Sequence, residues 1–285
     1  MSDFSETSIF KEFNKPIWSK LHKAIKEYQL IQQNDRIAVC ISGGKDSMLM
    51  AKCLQLLERQ GFCGISCEYI VMDPGYSAEN LEKILSNAEK LGIPVKVYST
   101  KIFESTEKAE KSPCFLCARL RRGWLYKKAQ ELGCGKIALG HHFDDVIETI
   151  LMGMLYGSQM QTMMPKLHSE NFPGMELIRP MYMVREEEII KWRDHNDLHF
   201  LNCACSVTAN IDANGDGGSK RQEIKQLLKQ LRAVDPAVDM HIFRSVENVN
   251  LQTLISYHIG KDYHHFLDDY DKGMNIKGTI KVNNE

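Results

Sequence analysis

Four short apolar runs separated by helix-like stretches constrain this chain more than any other feature. "RIAVCI" (residues 36–41), "CEYIVMD" (67–73), "PVKVY" (94–98) and "KIALG" (136–140) have the length and composition of buried strands. Between them apolar residues recur at helical spacing, and the second helix, expected over 78–91, stops at Gly92 with Pro94 just beyond, a C-terminal signature. Strands alternating with helices pack as a parallel sheet covered on both faces. The expected fold class is therefore α/β, a parallel twisted sheet with helices on both faces, and ligands of such sheets bind at the carboxyl ends of the strands.

One such end carries "SGGKDS", residues 42–47, directly after the first run. A Walker A loop needs glycine, four residues and then Gly-Lys-Ser/Thr; here Val39 stands at the first glycine and Asp46 follows Lys45, so this is not that loop. Glycines, hydroxyls and a lysine at a strand-to-helix turn still favour an anion, because the first amides of the helix are free and its dipole is positive there. Gly43 and Gly44 let the backbone approach a phosphate, Ser42 and Ser47 offer hydroxyls, and Lys45 offers a point charge. The bland alternative is a tight turn capped by Asp or Ser.

A formal charge of −1 means that any nucleic acid must be met by a local basic patch. No run of 18 apolar residues occurs and the start lacks a leader pattern, so a cytoplasmic protein without a membrane segment is expected. Nine cysteines then read as reduced thiols. Most sit singly in apolar contexts, but Cys114 and Cys117 are three apart at a helix start and face one way, as two metal ligands would. Cys203 and Cys205 are the nearest source of a third. Zinc on all four thiolates is the alternative.

With these residues in view, the chain resembles the PP-loop ATP pyrophosphatases, whose signature is SGGxDS and which cleave ATP between the α and β phosphates. Within them it is most similar to the tRNA 2-thiocytidine synthetases, through "SPCFLCARLRRGWLY" (112–126), "LGHHFDDVIETILM" (139–152), "MLYGSQMQTMMPKL" (154–167) and "IRPMYMVREEEI" (178–189). The resemblance implies the fold of the adenine nucleotide alpha hydrolases, ATP with Mg²⁺ as cofactors, and a [4Fe-4S] cluster on three cysteines. It implies Cys114 and Cys117 as metal ligands, with Cys205 favoured over Cys203 because Cys205-Ser206 matches the family's Cys-Gly-Ser. Family members usually have Cys-x-x-Cys at that second place and this chain has Cys-x-Cys.

The resemblance also places Gly140, His141, Asp144 and Asp145 at the ATP site, with Lys45, Asp46, Asp144 and Asp145 as candidate catalytic residues and Asp144 preferred over Asp145 for Mg²⁺. Asp73 ends the second run in "VMDPGY", where it can meet nucleotide or base, or only cap an Asp-Pro-Gly turn. Asp145 with Glu148 also reads as a capping box. Basic residues cluster at Arg119, Arg121, Arg122, Lys127 and Lys128, interleaved with Trp124 and Tyr126, and again from Lys220 to Arg232; each group is either a tRNA contact or a solvated helix face. Leu116, Leu120 and Trp124 read as a core stripe. "DANGDGGSKRQE" fits the EF-hand pattern but carries Lys220 and Arg221 inside the loop, and a solvated loop is the better reading.

The expected organisation is residues 1–206 as the ATP- and cluster-binding domain and 207–285 as an inserted loop with a small helical C-terminal extension. The expected function is an ATP-dependent tRNA sulfurtransferase that adenylates the C2 oxygen of an anticodon-loop cytidine, position 32 in the family, and replaces it with sulfur. tRNA, a sulfur donor such as a cysteine desulfurase and a second copy in a homodimer are the implied partners. A thiolase of another nucleotide, of the 2-thiouridine type, and a non-catalytic metal-containing RNA-binding protein remain open.

Overall fold

The computed structural model describes residues 4–103, 113–200, 220–268 and 270, with Cys114 placed by its backbone alone. The chain divides into two compact units, Met1–Gln230 and Leu231–Glu285. The expected boundary at 206/207 falls outside the described residues.

In the first unit, β1 (Arg36–Ile41), β2 (Ser66–Asp73), β3 (Lys96–Ser99), β4 (Lys136–Ala138), β5 (Lys166–His168) and β6 (Glu176–Ile178) form one sheet in the order β3-β2-β1-β4-β6-β5. All neighbours pair parallel except β5, which runs antiparallel to β6. The four runs read as strands are β1 to β4. The pair β5/β6 is three residues per strand, too short for a period to show, and closes the sheet with an antiparallel edge where a wholly parallel sheet was expected. Strand order reverses between β1 and β4, which opens a crevice at their carboxyl ends.

Helices α1 (Phe4–Phe10) and α2 (Ser19–Glu27) precede the sheet; α3 (Lys45–Arg59) follows β1, and α4 (Ala78–Lys90) follows β2. Ser77 caps α4 by accepting from the Asn80 N–H at 3.2 Å. Its other end turns through Gly92, whose φ of +61° is the left-handed value expected of a glycine stop. From Ser47 to Leu57 every residue of α3 is buried, so this helix lies inside the unit and not on its surface. Even its polar side chains are satisfied there: Lys52 donates to the Leu91 carbonyl at 2.9 Å and Gln55 to that of Gly92 at 2.6 Å. Each fully buried Leu or Met of α3 contributes about 1.5–3 kcal/mol. That burial holds the start of α3, and with it the 42–47 loop, against β1.

Helix α5 (Pro113–Glu131) crosses from β3 to β4, α6 (Phe143–Gly157) follows β4, α7 (Glu186–His195) follows β6, and α8 (Lys220–Val234) begins in this unit and continues past its last residue, Gln230. The expected stripe Leu116, Leu120 and Trp124 is not the core face of α5. Tyr126 and Ala129 face the sheet instead, beside Ile137 and Leu177, and Leu120 is exposed. Trp124 rests half-exposed against Tyr98, ring centroids 5.9 Å apart, with Lys128 above both rings.

The second unit holds the end of α8, α9 (Val238–Ser245) and a hairpin of β7 (Ser256–Ile259) and β8 (Asp262–His265), so it is not helical throughout. Arg232 Nε donates to both oxygens of buried Asp239 at 3.0 and 2.9 Å. Among the described residues no helix is long and apolar enough to cross a membrane.

Candidate active site

The 42–47 loop is built by its own hydroxyls. Gly43 has φ +86°, a left-handed value that requires glycine, whereas Gly44 is the extended cap of α3 at φ −82°. Ser47 is buried; its Oγ accepts from the Ser42 N–H at 3.1 Å and donates to the Gly44 carbonyl at 3.0 Å. Ser47 therefore closes the loop, and its Oγ also lies 3.1 Å from the hydroxyl of Ser42, an exposed residue. Beyond it lie the first-turn amides of α3, which have no partner within a helix.

The segment after β4 lies directly on this loop. A Cβ on Gly140 would stand 2.9 Å from both Cα and N of Ser47, so only glycine permits the approach. His142 caps α6: its Nδ1 accepts from the Asp145 N–H at 3.4 Å, and the Asp145 carboxylate accepts from the His142 N–H at 3.0 Å. The capping box is thus His142 with Asp145, not Asp145 with Glu148, because the helix starts at Phe143. His142 Nε2 stands 3.8 Å from Asp46 Oδ1, which brings Asp46 and Asp145 to one place. Burial, helped by the charge of Arg179, holds His141 below the ordinary imidazole range and keeps it neutral.

A chain of charges surrounds the lysine. Lys45 Nζ lies 3.0 Å from Glu186 Oε1 and 3.2 Å from Asp46 Oδ1. Burial alone disfavours the ammonium, but Asp46 and Glu186 outweigh it and hold Lys45 above the usual lysine value. Glu186 Oε2 accepts from Lys225 of α8 at 3.0 Å. Burial by itself would raise Glu186; Lys45 and Lys225 together pull it down to about 2. The backbone N–H of Glu186 donates to Asp144 Oδ2 at 2.7 Å, and Asp144 is only 5% exposed. Buried Glu148 faces Arg221 Nε at 3.1 Å and Lys225 at 3.7 Å, and its carboxyl stays above the ordinary value because burial outweighs both cations.

Ser42, Gly43, Gly44, Lys45, Asp46, Ser47, Gly140, His141, Asp144 and Asp145 are brought together by these contacts. Asp73 is joined to them through Tyr76, whose hydroxyl donates to the Ser42 carbonyl at 3.4 Å; its Oδ1 accepts from the Gly75 and Tyr76 N–H groups at 2.8 and 2.7 Å, the turn form of its reading. Cys117 is half-buried on α5, with Cys114 one turn earlier. Because α5 leaves the carboxyl end of β3 and arrives at the amino end of β4, its first turns lie at the loop's end of the sheet. Cys203, Cys205 and residues 212–217 of the EF-hand-like stretch lie outside the described residues, while Glu223 accepts from the Tyr156 hydroxyl at 2.6 Å.

Sequence reasoning missed Glu186, Arg221 and Lys225 as members of this network. The three glutamates opening α7 were a signal for Glu186; for the pairing with Lys45, 141 residues away, there was none.

A model of the PP-loop domain matches residues 14–214. The tRNA-cytidine(32) 2-sulfurtransferase of Geobacter metallireducens is 34% identical over 236 residues, covering 82% of this chain and 89% of that protein. Its namesake from Aliivibrio fischeri is 36% identical over 247 residues, 84% and 76% of the two chains. Among solved structures the U34-tRNA thiolase NcsA from Methanococcus maripaludis with its [4Fe-4S] cluster has the same fold, at TM-score 0.63 and 23% identity over 81% of this chain and 77% of that one. The chain belongs to the PP-loop family and, within it, groups with the tRNA-cytidine(32) 2-sulfurtransferases.

Proposed function

We propose that this protein is an ATP-dependent tRNA sulfurtransferase that converts a cytidine of the anticodon loop, position 32, to 2-thiocytidine, with release of AMP and pyrophosphate. The observation that carries it is the 42–47 loop, with its own Asp46, packed on Gly140 just before the α6 turn that carries Asp144 and Asp145, at the reversal of strand order. The loop amides and Lys45 hold the phosphates of ATP. The carboxylates of Asp144 and Asp145, with Asp46, would hold Mg²⁺, which would supply charge neutralisation for the phosphates. The C2 oxygen of the cytidine attacks the α-phosphorus, the bond to the bridging oxygen breaks, and pyrophosphate departs with the electron pair; sulfide-level sulfur then adds at C2 and the C2–O bond breaks, so that AMP leaves with the former C2 oxygen.

The chemistry of the donors suits an iron–sulfur cluster: Cys114 and Cys117, three residues apart in α5, would supply two thiolates and Cys205 the third. Held by these thiolates, a [4Fe-4S] cluster would supply a site for the sulfur to be transferred, delivered by a donor such as a cysteine desulfurase. Arg119 and Arg122, exposed on the same helix, draw tRNA to this face by charge.

The test is mass spectrometry of tRNA nucleosides from a strain lacking this gene. Loss of 2-thiocytidine, restored by the wild-type gene and not by its Cys117→Ser variant, is the expected result. Unchanged 2-thiocytidine with a thiouridine missing would transfer the assignment to another nucleotide.

A further inference from the structure

Lys45 is held by a residue of another helix, and that residue is itself built into the site. Glu186 opens α7; its Oε1 takes Lys45 at 3.0 Å, its Oε2 takes Lys225 at 3.0 Å, and its backbone N–H is fixed by Asp144 Oδ2 at 2.7 Å. Lys45 is only 19% exposed, so the pair is partly shielded from solvent. Asp144 is buried, so the bond that places Glu186 is better shielded still.

We propose that Glu186 is a positioning residue for Lys45: anchored by Asp144 and shared with Lys225, it sets the ammonium over the 42–47 loop before ATP arrives. This rests on the reading of Lys45 as the phosphate-binding lysine. A lysine side chain has four flexible methylenes, and a free one must be ordered when phosphate binds. A carboxylate that orders it beforehand removes that cost from nucleotide binding. A carboxylate with one cation would grip it too firmly to yield to phosphate. Lys225 divides the pull: when Lys45 turns to the phosphates, Glu186 keeps a cation partner and is not left as an unpaired half-buried charge. The account also gives Asp144 a second task, since a shift of its carboxylate moves the first residue of α7.

The experiment measures AMP release from ATP, with unmodified tRNA and sulfide present, for the full-length wild type, Lys45→Ala, Glu186→Ala, Glu186→Gln and Glu186→Asp, with thermal midpoints alongside. Glu186→Ala and Glu186→Gln should raise the KM for ATP about tenfold while kcat changes by less than about threefold, the signature of lost ground-state positioning. Glu186→Asp, which keeps the charge, should recover part of the KM. A KM for Glu186→Gln within about twofold of wild type overturns the inference, as does an aspartate variant no better than glutamine. If Glu186→Ala does not fold, the isosteric glutamine variant decides. Wild type that releases AMP and Lys45→Ala that does not, together with unaltered Glu186 variants, would remove this inference alone. Wild type that releases ADP, or a fully active Lys45→Ala, would remove the nucleotide-site reading as well.

Discussion

Near each end of strand β1 one carboxylate sits between two cations, alone at one end and within a larger charge network at the other. At its amino end Glu68 joins Arg36 at 2.9 Å and Lys96 at 2.7 Å. Beyond its carboxyl end Glu186 joins Lys45 and Lys225, each at 3.0 Å. The first group ties adjacent strands together at the exposed foot of the sheet, where Arg36 is 50% exposed and Lys96 55%. The second ties a loop to two helices in a half-buried crevice. Near the foot the other cation is also closed off, since Lys136 is fully engaged by Asp35 at 2.8 Å, Glu176 at 3.1 Å and the Leu30 carbonyl at 3.0 Å. Similar ion pairs thus serve opposite ends: at the foot they finish the sheet, and in the crevice they hold a charge in place for a ligand.

Lys45→Ala breaks the comparison most severely. Removing a cation aimed at phosphate costs about a hundredfold or more in AMP release, with a thermal midpoint close to wild type. A charge at the foot has no such effect on turnover.

The two ends of β4 offer a cleaner pair. Gly140→Ala puts a methyl 2.9 Å from the backbone of Ser47, whereas a Cβ on Gly135 meets nothing within 4 Å. Gly140→Ala should destabilise by about 1–3 kcal/mol and weaken ATP binding by isothermal titration, because the start of α3 must move. Gly135→Ala should leave both unchanged.

Acid sharpens the comparison further. Both carboxylates are held below the ordinary value of 4.5, Glu68 by its hydrogen bond to Lys96 and then to Arg36, Glu186 by Lys45 and Lys225 against burial. A depressed carboxyl contributes stability that is present above its unfolded value and lost as pH falls through its folded one. The difference in urea midpoint between wild type and Glu186→Gln should therefore hold above pH 4.5 and shrink toward about 2. The smallest effect belongs to Glu68→Gln, whose exposed partners make it worth no more than about 3 °C in thermal midpoint, fading in 1 M salt.

The same contrast explains what the sequence shows. Strands β1 and β4 are legible because burial on both faces writes a continuous apolar run, β2 and the half-buried edge strand β3 because each holds a short run of β-formers, and the glycine stop of α4 because Gly92 needs a left-handed backbone. The loop's residues are legible because six specified positions follow a strand. The division of labour inside it is not: that buried Ser47 closes the loop on both Ser42 and Gly44 depends on hydrogen bonds between residues with the same chemistry. The face of α5 was misjudged because leucines at spacing four fit a stripe whose phase only the sheet decides. The start of α6 was placed late because histidine is an unusual cap. Glu186, Arg221 and Lys225 are charged residues on helix surfaces, and only folding brings them to the crevice.

The central claim is that one cleft couples ATP cleavage at the α-phosphorus to sulfur insertion into cytidine. Its most direct test incubates anaerobically purified protein with unmodified tRNA, ATP, Mg²⁺ and sulfide, and counts nucleotides and nucleosides in the same sample. The account predicts one AMP for each 2-thiocytidine formed, with both absent from Lys45→Ala and from Cys117→Ser, the latter still releasing pyrophosphate because the adenylate stays on the cytidine. Thiolation without AMP, or ADP in its place, would contradict it.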